Sequence, residues 1–166
     1  MRILNFGSLN LDHVYKLNHF VQPGETVTAE EYAVHLGGKG HNQSVALAKA
    51  GASIWHAGMI GNDGDALQTH LQQWGVNTDY LRTAQAPTGH SMIQVDSKGQ
   101  NSIIVYPGAN GSIDKAFAQE VISYFDSGDY LLLQNEIPSL PEIMELAHDR
   151  GLHIILNPSP FNAVIT

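Results

Sequence analysis

Carboxylates and carboxamides recur just past the apolar runs of this chain. Asn10 and Asp12 follow "RILNF", Asn135 and Glu136 follow "YLLLQ", and Asn157 closes "HIILN". Asp and Glu accept from hydroxyl groups, while Asn donates and accepts at once, so the set has the repertoire that a sugar's diols require. Taken singly, each of these residues is also an ordinary turn-former or helix cap. A second feature is "HLGGKGHNQSVALAKAG", His35 to Gly51, which sets Gly37, Gly38, Gly40 and the lone Lys39 in front of a helical pattern. Missing side chains allow close backbone approach, and free N–H groups at a helix start, with the positive end of its dipole, favour oxygen-rich ligands. The stretch is not a Walker A loop, because Lys39 is followed by Gly40 rather than Ser or Thr. It also misses the dinucleotide fingerprint, whose third glycine would fall at Gln43. A sugar site and a glycine turn made for packing alone both remain open on these grounds.

The elements that must position these groups alternate. Strand patterns cover Ile3 to Phe6, Ile54 to Ile60, Tyr130 to Gln134 and His153 to Asn157. Helical patterns cover Asn42 to Ala50, Asp65 to Trp74, Asp114 to Phe125 and Pro141 to Arg150. Such alternation predicts an α/β domain with a parallel sheet, in which ligands bind beyond the carboxyl ends of the strands. Two segments stand outside it. "TVTAEEYAVHL" from Thr26 is strand-like, and "GHSMIQVDSKGQNSIIVYPG" from Gly89 reads as a hairpin turning at Ser97 to Gln100. Together they predict a small second sheet, either a flap over a site or an edge or subunit contact.

Bulk properties narrow the function classes. A chain of 166 residues fits one domain with a sizeable core. The net charge of −8, without a basic cluster, argues against nucleic-acid binding. No apolar run reaches the ~20 residues of a membrane span, no export signal opens the chain and cysteine is absent, so a cytoplasmic location is the expectation. Nine histidines form no i, i+4 pair, and no metal site is expected.

The stretch "GGKGHNQSVALAKAGASIWHAGMIG" carries Gly37, Gly38, Gly40, Asn42, Ser44, Gly51 and Gly61 at the spacing of a known signature. With "GSLNLDHVYKLNHFVQPGETV", "YPGAN", "LLLQNEIP" and "LNPSP" around it, the chain resembles the ribokinase, or PfkB, family of carbohydrate kinases over its whole length. The resemblance implies a three-layer α/β sandwich with a central parallel sheet and a small β lid built from about residues 13–37 and 88–108. It implies transfer of the ATP γ-phosphoryl group to a sugar hydroxymethyl, with ribose the leading acceptor. Asn10 and Asp12 would hold sugar hydroxyls, the Gly38 to Asn42 loop would pack against the sugar, and Glu136 would contact it from a neighbouring strand. Lys39 would touch substrate or the transferred phosphate, or stabilise the loop. The lid would double as a homodimer interface.

The departure from the family pattern is as informative. Its second signature, a Gly-Ala-Gly-Asp turn that makes the anion hole and supplies the catalytic base, does not occur in these residues; "GNDGDA" at Gly61 lies in the wrong half. The chain therefore reads as an amino-terminal, acceptor-binding half, with no catalytic residue of its own and without the segments for ATP, Mg2+ and a candidate monovalent cation. By this reading it is inactive alone. A non-catalytic sugar-binding or regulatory module, and a fructose- or nucleoside-type kinase of the same family, are the alternatives.

Overall fold

The computed structural model describes residues 1–161, so the end of "NPSPFNAVI" lies outside the described residues. Its strands are β1 (Ile3–Phe6), β2 (Asn10–Lys16), β3 (Glu31–Gly37), β4 (Ile54–Ile60), β5 (Asn77–Thr83), β6 (Gly89–Val95), β7 (Asn101–Tyr106), β8 (Tyr130–Gln134) and β9 (His153–Asn157). Its helices are α1 (Lys39–Lys49), α2 (Asp65–Gln73), α3 (Lys115–Ser123) and α4 (Leu140–Arg150), with a 3-10 turn at Gly108–Ser112. Among the described residues no helix is long and apolar enough to cross a membrane.

Five strands form a parallel sheet in the order β5-β4-β1-β8-β9. Side chains alternate across a strand, which decides what each face buries. From β1, Leu4 and Phe6 enter a core with Leu131 and Leu133 of β8, Phe117 and Val121 of α3, and Ile143 and Ala147 of α4. Ile3 instead meets the core formed by Val45 of α1 and Leu67 and Leu71 of α2. Helices thus cover both faces, giving three layers. The ends are conventional: Asp114 accepts from the Phe117 N–H at 2.8 Å to start α3, and Gly151, at φ 81°, ends α4.

The second sheet is mixed, in the order β3-β2-β6-β7, with only β2 and β6 parallel. Three expectations change here. Asn10 and Asp12 do not simply follow the end of β1: Asn10 to Lys16 is a separate seven-residue strand paired on both edges. The strand before α1 starts at Glu31 rather than Thr26, and α1 starts at Lys39 rather than Asn42. β5, "NTDYLRT", was not foreseen; its Asn and Asp are poor strand formers, and it is held at the sheet edge by β4 through a register shift.

Strand order also locates the crevice. From β1 the chain builds outward through β4 and β5 on one side, then through β8 and β9 on the other. The order reverses between β1 and β8, and ligands of open α/β sheets lie beyond the strand ends at such a point.

Candidate functional site

Three segments meet at that reversal: Gly7 and Ser8 after β1, Asn135 and Glu136 after β8, and the start of α1. The close approach is a glycine effect. A Cβ on Gly40 would stand 2.5 Å from the Ser8 nitrogen and 2.7 Å from the Gly7 Cα, so any side chain would push the helix off the strand end. Gly38, at φ 92°, makes the turn into the helix in a backbone conformation that L side chains rarely adopt.

The first N–H groups of α1 are not free, contrary to the expectation from the glycine stretch. Lys39 N–H donates to Glu136 Oε2 at 3.0 Å, Gly40 N–H to Ser8 Oγ at 3.2 Å, and His41 N–H to the Ser8 carbonyl at 2.9 Å. Glu136 is therefore the anion that the helix dipole receives. Ser8 Oγ donates to the same Oε2 at 2.5 Å, and Lys39 Nζ donates to Oε1 at 2.8 Å. Burial pushes the Glu136 carboxyl up, but the Lys39 ammonium, the Ser8 hydroxyl and the Lys39 N–H together outweigh it and hold the group below its ordinary range. In this arrangement Lys39 and Glu136 clamp the helix start to the strand ends.

The second sheet supplies the facing wall. Asp12 Oδ1 accepts from Ser91 Oγ on the adjacent strand β6 at 2.5 Å, and a Cβ on Gly37 would collide with the Asp12 carboxylate. Asn10 Oδ1 accepts from Asn110 Nδ2 at 2.8 Å, and Asn110 also brackets the backbone of Leu9 on both its N–H and its carbonyl. The bonds leave Asn10 Nδ2, Asp12 Oδ2 and Asn42 Nδ2 without a protein partner among the described residues.

Asn10, Asp12, Gly38, Lys39, Asn42 and Glu136 line one cleft with Ser91 and the apolar Ile93, Ile103 and Val105. Its space, open mouth included, is about 510 Å³, within the range of small-molecule sites. All six candidates from the sequence are thus neighbours in space. Asn135 lines a smaller adjoining cavity with Ser8, Asn10 and Glu136. Asn157 stays apart: its Oδ1 accepts from Ser159 N–H at 3.0 Å, the turn-forming role. The sequence reading assigned no part to Ser8, Ser91 or Asn110. Ser91 becomes visible only through the β2–β6 register, which sets Asp12 opposite Ser91.

Beneath the cleft lies a buried polar chain. Gln134 Nε2 donates to Gln43 Oε1 at 2.6 Å and to Asn5 Oδ1 at 2.7 Å. Asn5 Nδ2 donates to Ser44 Oγ at 2.8 Å and to the Gly40 carbonyl at 2.7 Å. His56 Nε2 faces the Gly7 carbonyl at 3.3 Å, which can only accept, so Nε2 carries the proton. Its Nδ1 then accepts from Ser44 Oγ at 2.8 Å. Burial first, then the neighbouring His41, push His56 down to about 3, so the ring is neutral. Among the fully buried side-chain nitrogens and oxygens of the described residues, Gln134 Oε1 alone has no hydrogen-bond partner. Among the described residues no three His, Asp or Glu side chains converge to hold a metal ion.

Comparison with known proteins agrees with this architecture. The family model described as pfkB family carbohydrate kinase matches residues 2–163. A ribokinase of Haemophilus influenzae is 35% identical over 159 residues, covering 93% of this chain and 52% of its own length. One from Bacillus subtilis is 35% identical over 161 residues, at 93% and 54% coverage. The crystal structure of ribokinase from Thermotoga maritima superposes with a TM-score of 0.86 at 38% identity, over 97% of this chain and 54% of that one. The chain spans about half the length of the curated relatives it matches.

Proposed function

The chain belongs to the pfkB family of carbohydrate kinases, and from that premise we propose that it carries the acceptor site of an ATP-dependent sugar kinase whose substrate is ribose. The observation that supports the reading most is the cleft itself, where Asn10, Asp12 and Asn42, each with one side-chain polar atom not engaged by the described residues, line one small space. The apolar side chains of β6 and β7 face the same space, as a sugar's C–H faces call for.

In this proposal Asp12 accepts from two sugar hydroxyls, while Asn10 and Asn42 donate from their Nδ2 groups. Glu136 and Lys39 act mainly by holding α1 against the strand ends, so the donors and acceptors are in place before sugar arrives. Phosphoryl transfer depends on positioning and electrostatic stabilisation. ATP with Mg2+ would supply the phosphoryl group, and its binding groups, with the base and anion hole, are assigned to sequence outside these residues. Alone, the 166 residues bind sugar without turnover. Self-association through the exposed face of the second sheet also belongs to the proposal.

The test is calorimetric titration of D-ribose into the wild-type chain and Asp12→Ala, beside melting curves of both. Charge-assisted hydrogen bonds are worth roughly 1.5–3 kcal/mol each, so the variant should lose at least about tenfold in affinity with little change in Tm. Equal affinity in the two proteins, or a variant that loses stability instead of affinity, would overturn the assignment.

A further inference from the structure

A second line of hydrogen bonds runs from the surface to the cleft through two imidazoles, outside the contacts used so far. Trp74 Nε1 donates to His70 Nε2 at 3.1 Å, His70 Nδ1 lies 3.0 Å from His41 Nε2, and His41 Nδ1 lies 3.2 Å from Asn42 Oδ1. The rings of His41 and His70 stack with centroids 5.1 Å apart. Trp74 follows α2 and its ring sits under the Lys49 ammonium, 4.0 Å from Nζ to the centroid. His41 is 2% exposed.

The direction of the line follows from one donor. An indole N–H can only donate, so His70 Nε2 must be the unprotonated nitrogen. In a neutral His70 the proton is then on Nδ1, which donates to His41 Nε2. His41 in turn carries its proton on Nδ1, which requires an acceptor, and Asn42 presents its oxygen. The carboxamide is thereby oriented with Oδ1 to His41 and Nδ2 to the cleft. Reverse the polarity and the amide turns over, offering the cleft an acceptor instead. Burial lowers the His41 pKa, in keeping with a neutral ring.

We propose that Trp74, through His70 and His41, sets the polarity of this relay and so makes Asn42 a hydrogen-bond donor toward the ligand. Trp74, His70 and His41 are positioning residues: none lines the cleft. The ligand side of the proposal, a sugar hydroxyl as the group that Asn42 meets, rests on the proposed function; the relay does not.

Histidine nitrogen resonances of the 15N-labelled chain read the tautomers directly. His41 and His70 should both be protonated on Nδ1 and bare on Nε2, against the usual preference of a free imidazole. Trp74→Phe keeps a ring at that position and removes the donor. It should let His70 move its proton to Nε2, reverse His41, and lower affinity for D-ribose by roughly two- to tenfold, the worth of one neutral hydrogen bond. Asn42→Asp keeps the acceptor for His41 but has no Nδ2, so it should lose ribose affinity at least as far while both tautomers stay as in wild type. An Nε2-protonated His70 or His41 in the wild type overturns the relay, as do unchanged tautomers in Trp74→Phe. Wild-type ribose affinity in Asn42→Asp, with the tautomers intact, overturns the donor role of Asn42. A wild-type chain that binds no ribose would sink the proposed function instead, and the tautomers would still decide the relay.

Discussion

The two sheets of this molecule face the same cleft but are built under different constraints. In the parallel sheet, β1 and β8 are enclosed by helices on both faces, and Leu4, Phe6, Leu131 and Leu133 are fully buried. In the mixed sheet all six residues of β7 are exposed, as are five of the seven in β3. The polar groups differ in the same sense. On the parallel-sheet side, Ser8, Glu136, Lys39 and the first N–H groups of α1 are engaged with one another. On the mixed-sheet side, Asn10 and Asp12 each spend one atom on a neighbour and keep another for the cleft. One side is a preorganised floor held by packing, and the other is a thinner wall that keeps hydrogen-bonding capacity in reserve.

The largest test of that contrast is stability. Phe6→Ala removes a fully buried ring in edge-to-face contact with Phe117, centroids 5.3 Å apart, and should cost about 3–5 kcal/mol in denaturant unfolding. Ile104→Ala, at a side chain 64% exposed on β7, should stay within about 0.5 kcal/mol. Comparable losses at the two positions would erase the distinction between floor and wall.

The next effect is in acid. His56 titrates near 3 in the fold against an ordinary value of 6.5, so between those limits the unfolded chain binds a proton that the folded chain does not. Its contribution to stability is complete above pH 6.5 and is lost as pH falls toward 3, at up to about 1.4 kcal/mol per pH unit. Glu136, held low, loses its contribution as pH falls below its unfolded value of about 4.5, in the same direction. Urea midpoints from pH 7 to 4 should therefore fall, and His56→Asn should flatten the slope by about one proton. A slope unchanged in the variant would remove His56 from the buried chain's energetics.

The smallest effect on stability, and the one that sharpens the picture of the wall, is association. Tyr32, Val34, Met92, Ile104 and Tyr106, on the face of the mixed sheet turned away from the cleft, leave an apolar surface there. Light scattering should find concentration-dependent self-association in the wild-type chain, and Ile104→Asp should reduce it with Tm preserved. A wild-type chain that stays monomeric at high concentration would remove the interface.

Much of the parallel half was legible in the residues themselves. Short apolar runs at "RILNF" and "YLLLQ", helical periodicity between them, and glycines where α1 meets β1 encode local geometry, and local geometry is what a sequence pattern reports. The amides and carboxylates at those boundaries marked the site for the same reason. The use to which each side chain is put depended on tertiary structure. Ser8 and Glu136 are 128 positions apart and Leu9 and Asn110 are 101 apart, so nothing in their neighbourhoods announces their hydrogen bonds. β2 was not legible as a separate strand because its strand character comes from pairing with β3 and β6 on its two edges rather than from its own propensities. The helix start of α1 looked open to an anion, and only the fold brings the Glu136 carboxylate onto it. Sequence alone determined most elements of the parallel half and the chemical types gathered at their ends. Tertiary packing decided which donors and acceptors are consumed in holding the site together and which remain for a ligand, because that division is set by contacts between residues distant in the chain.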